Sequence, residues 1–110
     1  MSDIQALEKL KKDHQANVAM RDRVLRLSNN ADFKAVIARE WMVEEVARFM
    51  DVAGNPNIKP EQRKDATDAA LAPGSLKRWM HARIQMGDAS EAQIIAIDEE
   101  LEELRLEGEE

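Results

Sequence analysis

The chain has 110 residues, 35% of them charged, with no cysteine, no tyrosine and four glycines. That length suits one domain burying about two-thirds of its unfolded surface. The composition favours helices over a sheet, and the lack of cysteine excludes disulfides, thiol catalysis and thiolate metal sites. The net charge of −6 sits at one end: residues 1–97 hold fourteen acids and fifteen bases, residues 98–110 eight acids and a single base, Arg105.

The first predicted helix covers residues 3–27. Ile4, Leu7, His14, Val18 and Leu25 fall on one stripe, with Leu10 and Val24 beside it, and Lys11 and Arg21 interrupt it. Arg21, Arg23 and Arg26 read as cations favouring the helix C-terminus. "SNNADF" supplies turn and cap chemistry, with Asn30 or Ser28 as acceptor for free helical N–H groups.

The second helix is expected over residues 31–53. Phe33, Ile37 and Trp41 are four apart, followed by Val43, Val46, Met50 and Ala53, with Val36, Met42 and Phe49 widening the stripe. It is the most hydrophobic segment and is expected to form the core. Gly54 ends it, and "NPNIKP" is a connector.

Pro60 and Glu61 suit the start of a third helix, which "PGS" at 73–75 is expected to break near Leu71. Ser75 would cap a fourth helix over 76–86, with Leu76, Trp79, Met80, Arg83 and Ile84 on one face and Lys77, Arg78 and His81 on another. Gly87 either breaks or bends the chain. "DASE" at 88–91 resembles a capping box for a last helix over 89–106. In it Ile94, Ile97, Leu101 and Leu104 are spaced as two heptads of a coiled-coil seam. Two heptads are short for an independent coiled coil, so this seam needs a partner surface, on this chain or on another copy.

Motifs for chemistry are sparse. The histidines His14 and His81 lie in different helices without an HExxH context, and Glu40 and Glu44 lack the Glu-x-x-His partners of helical di-metal sites. No G-x-S-x-G elbow and no glycine-rich phosphate loop occurs. These readings predict a non-enzyme with no cofactor and no metal. Trp41 and Trp79 read as core anchors, and the methionines as gap fillers. Residues 66–84 look superficially like a helix-turn-helix, with Lys77, Arg78 and Arg83 as candidate nucleic-acid contacts. The acidic end opposes that use. No apolar run reaches the roughly 18 residues of a membrane span, and the N-terminal "MSDIQALEKLKKD" is unlike a signal peptide.

"LSNNADFKAVI", the acidic and apolar helix after it, the "NPNIKPEQR" connector and the "LKRWMHARIQMG…EELEEL" ending together resemble small helical proteins of unknown function encoded by tailed bacteriophages, often near virion structural genes. The resemblance covers residues 25–105, and its motifs are architectural. It implies the cytoplasm of an infected bacterium or the virion as the setting.

The expectation is therefore an all-α fold of four or five helices, a small bundle with a long amphipathic N-terminal helix and an acidic C-terminal helix. Residues 1–106 form a single domain and 107–110 a flexible acidic end. The expected function is helix-mediated protein–protein interaction in virion assembly, through Ile94, Ile97, Leu101 and Leu104, with a protein partner or a second copy. The alternatives are an acidic inhibitor of a host nucleic-acid-binding protein and a small DNA-binding protein using residues 66–84.

Overall fold

A computed structural model describes residues 2–108. They are all-α, and no strand occurs among them. There are three helices instead of four or five. Helix α1 is Asp3–Ser28. Helix α2 runs in π geometry over Phe33–Glu45 and continues without a break in α geometry over Val46–Ala53. Helix α3 is Pro60–Gly108, 49 residues long.

Local sequence accounts for the helix ends. The Ser2 hydroxyl accepts the Gln5 N–H at 3.2 Å, and the Gln5 side chain accepts the Ser2 N–H at 3.2 Å, a capping box that starts α1. The Asn30 side chain accepts the Phe33 N–H at 3.0 Å and so caps α2. Gly54 closes α2 through its N–H to the Met50 carbonyl. Pro60 opens α3, where its missing N–H costs nothing.

The expected breaks at Pro73–Gly74 and Gly87 do not occur, because α3 runs through all three residues. A proline inside a helix forfeits one backbone bond and costs about 3 kcal/mol. Packing along the helix overrides it. Every seventh residue from Ala66 to Leu101, and every seventh from Ala69 to Leu104, is buried or half-buried, twelve positions in all. Such a frame keeps one face of a helix against its neighbours. Pro73 and Gly87 are both buried members of it. Helix α3 also continues through Glu107 and Gly108, residues expected to be flexible; Glu109 and Glu110 lie outside the described residues.

The chain divides into two compact units. One comprises Met1–Leu25 and Ala82–Glu110, the other Arg26–His81. In the first, α1 and the second half of α3 run antiparallel. Arg105 bonds Glu8 at 3.0 Å, Lys11 pairs with Asp98 at 2.6 Å, and Asn17 reaches Ser90 at 3.0 Å. The core of this unit is Val24, Ile97 and Leu101, with Ile4, Leu7 and Val18 half-buried beside them. Leu25, expected on the buried stripe, is exposed. Arg21, read as an interruption and as an end cation, is buried instead.

In the second unit Ala66, Ala70 and Met80 of α3 are buried. Arg63 donates to the Ala53 carbonyl at 3.1 Å and ties α3 to the end of α2. No residue of α2 is buried, so the expectation that it forms the core fails. Of its half-buried residues, Phe33, Ile37, Trp41, Glu45, Phe49 and Ala53 recur every four, and Ala38, Met42 and Val46 each follow one of them. In an α-helix that step advances about 40° per turn, and the wider π turn brings such residues closer to line. Val36, Val43 and Met50 lie outside this set and are exposed. Trp79, expected as a core anchor, is 52% exposed.

Candidate functional site

The seam of the first unit has an apolar end and a polar layer. At the apolar end Ile97 is 4% and Leu101 2% exposed, and Ile94 and Leu104 are half-buried. The four seam residues read from the sequence thus face the chain's own α1, which occupies the surface they were expected to offer.

Beyond them the polar layer begins. Ser90, 3% exposed, lies 2.8 Å from His14 Nδ1 and accepts the Asn17 Nδ2 hydrogen at 3.0 Å. Further along, Arg21 donates through Nη1 to Asp88 at 2.9 Å and to Glu91 at 3.0 Å, and through Nε to Asp22 at 3.1 Å. Bonding to Glu91, then Asp88 and Asp22, holds its guanidinium above the ordinary arginine range. Gly87 makes room for it, since a Cβ there would lie 2.2 Å from the Arg21 Cβ. "DASE" therefore works as an anchor for Arg21 and not as a helix cap. The sequence signal was available: Arg21 is seven residues from His14, in line with Leu7.

Chemically this layer is closed. A serine beside a histidine is the start of a nucleophile and base pair, but a buried Ser90 in mid-helix offers a substrate no approach. Polar residues in an otherwise apolar seam fix register and orientation at a cost in stability. A surface depression of about 260 Å³ nearby is lined by Glu8, Lys11, Lys12, Gln15, Leu101 and Arg105. Of its cations, Lys11 and Arg105 are already paired with Asp98 and Glu8. Among the described residues no three His, Asp or Glu side chains converge as a metal site requires. Among the described residues no helix is long and apolar enough to cross a membrane.

The nucleic-acid candidates are not brought together on a turn. Lys77 and Arg78 are exposed and Arg83 half-buried, all on one uninterrupted helix. The helix-turn-helix reading of residues 66–84 is thereby corrected: the turn that would set one helix across another is absent. The acids from Asp98 to Glu107 are all exposed on α3.

What remains open to a partner is apolar. In the Arg26–His81 unit Val36, Val43 and Met50 are each more than half exposed at seven-residue intervals along α2. From sequence Val43 and Met50 fall on the expected core stripe and Val36 on its widened edge, because apolar richness alone does not say which side of a helix has neighbours. No protein-family model, curated protein or solved structure matches the chain.

Proposed function

We propose that this chain is a non-enzymatic protein that acts by helix-mediated binding to other proteins, in building a tailed-phage particle or as a component of it. Val36, Val43 and Met50, large apolar residues left more than half exposed on an apolar-rich helix with no buried residue, carry the reading. Large apolar surface left exposed on a helix marks interaction sites. The phage setting rests on the resemblance of residues 25–105.

The test is capture of the virion structural proteins encoded beside this chain, by immobilised wild type and by Val43→Asp. Val43 is exposed, so the variant keeps the helical circular dichroism of the wild type. The wild type is expected to retain one of these proteins, and Val43→Asp to lose it by at least about tenfold, as burying an unpaired charge requires. Undiminished capture by the variant sinks the face, and no capture by the wild type sinks the setting.

A further inference from the structure

We infer that α2 exchanges its π segment for α geometry, and that the exchange gathers the exposed apolar residues of this helix into one binding stripe. The inference rests on the interaction reading above and supplies the regulation of that same site. All of it lies within the Arg26–His81 unit. π geometry is usually confined to single turns inside α-helices, often at functional sites. Here it covers 13 residues, Phe33–Glu45.

The residues of α2 carry two patterns that no single geometry satisfies. Phe33, Ile37, Trp41, Glu45 and Phe49 recur every four and are half-buried. In α geometry this set would drift about 40° per step, roughly 160° from Phe33 to Phe49. The wider π turn holds it closer to line. Val36, Glu40, Val43, Ala47 and Met50 alternate four and three apart, and all five are exposed. An α-helix drifts only about 20° per heptad, so in that form these five share one stripe, with the spacing of a helix–helix seam. In π geometry seven residues fall well short of two turns, which sets Val36 and Val43 on different sides. The π form gathers the first set and scatters the second, and the α form does the reverse.

One side-chain pair records the geometry. Arg39 lies 3.6 Å from Glu44, five residues on. Residues five apart are stacked neighbours where backbone bonds run from i to i+5. On an α-helix the neighbours are three and four apart, so Glu44 would leave Arg39 and lie beside Glu40, a like charge. Opposing the π form, Lys34 and Arg39, and Glu40 and Glu45, are like charges five apart. Charge therefore leaves the two forms near balance, and the exposed Arg39–Glu44 pair holds the π form only lightly. A partner that binds the α stripe draws the helix over, because a ligand shifts an equilibrium toward the form it prefers.

The chain has no cysteine, so spin labels at Ala31→Cys and Asp51→Cys, both exposed, report the length of α2 by pulsed electron resonance. All-α geometry sets these sites about 30 Å apart along the axis, and the wider π turn makes the span several ångströms shorter. The labelled wild type is expected to show mainly the shorter distance. Glu44→Lys sets a like charge beside Arg39 in the π form and an opposite charge beside Glu40 in the α form. Each pair gained or lost shifts the balance about two-fold, so the longer component is expected to grow on the order of tenfold. Adding Arg39→Glu restores an opposite pair five apart, and with it the shorter distance. One distance common to all three chains overturns the inference, as does the α length in the wild type. A broad distribution with lost helical circular dichroism means that α2 melts, and overturns it too. Capture of a virion protein with unmoved distances removes this inference alone. Distances that move as expected without any capture remove the assembly reading alone.

Discussion

Replacing Gly87 by alanine sets two opposite effects against each other. Alanine in a helix interior is favoured over glycine by about 1 kcal/mol, because glycine loses more backbone freedom on folding. Against that, the new Cβ would lie 2.2 Å from the Arg21 Cβ, 2.7 Å from its Cδ and 2.8 Å from its Cγ. Ordinary contact begins near 3.4 Å, so α1 and α3 must part by about 1.2 Å at this point. The nearest atom is a Cβ fixed to the backbone, which no rotamer change can move aside. Overpacking costs about 1–3 kcal/mol, and this rigid case belongs at the upper end, leaving a net loss of about 2 kcal/mol. For a chain of this size that is a fall in Tm on the order of 8 °C. Thermal unfolding followed by far-ultraviolet circular dichroism measures it. Gly74→Ala is the matched control. There the new Cβ meets the Arg78 Nη1 at 3.1 Å, the movable tip of an exposed side chain, so the helix gain survives and stability rises by about 0.5–1 kcal/mol. Should Gly87→Ala prove as stable as the wild type, the close approach of α1 to α3 at Arg21 is refuted.

Three further outcomes are expected. Leu101→Ala empties the most deeply buried position of the core and should cost about 2–5 kcal/mol in urea titrations; a loss below about 1 kcal/mol would contradict the packing of the seam. Ser90→Ala removes the shared partner of His14 and Asn17, leaving part-buried polar groups unpaired; about 1–3 kcal/mol should be lost, and no change would mean that water replaces the hydroxyl without cost. Because the carboxylates of Glu91, Asp88 and Asp22 raise the Arg21 pKa on folding, its contribution is complete below the unfolded value and fades only in strong alkali. The stability difference between wild type and Arg21→Met should therefore be flat from roughly pH 6 to pH 9, and a slope there would point to a different titrating partner.

Much of the helical outline was legible in the residues. The Asn30 cap, the Gly54 stop and the Pro60 start all lie where local chemistry puts them. Helix α3 was not legible in the same way. Pro73, Gly74 and Gly87 are strong local breakers, and the repeat that overrides them has alanine, proline, glycine and serine at many of its positions. A hydrophobicity stripe built from leucine and isoleucine passes over such residues, although small side chains are what close packing of helices uses. Arg21 misled for a related reason. A charged residue on an apolar stripe reads as an interruption until Gly87, Asp88 and Glu91 are seen to give it space and countercharge. In α2 the error ran the other way: abundant valine and methionine suggested a core, but burial depends on neighbours, which lie on one side of that helix only.

The fit of Arg21 into the space left by Gly87 also ties the two positions together in descent. Neither can change freely while the other stays. A lineage that gains bulk at position 87 must first or simultaneously lose it at position 21, and the carboxylates at 88 and 91 then lose the cation they anchor. Among related chains these four positions should vary as a set. An arginine at 21 should be found with glycine at 87 and acids at 88 and 91, and a small residue at 21 with all three released.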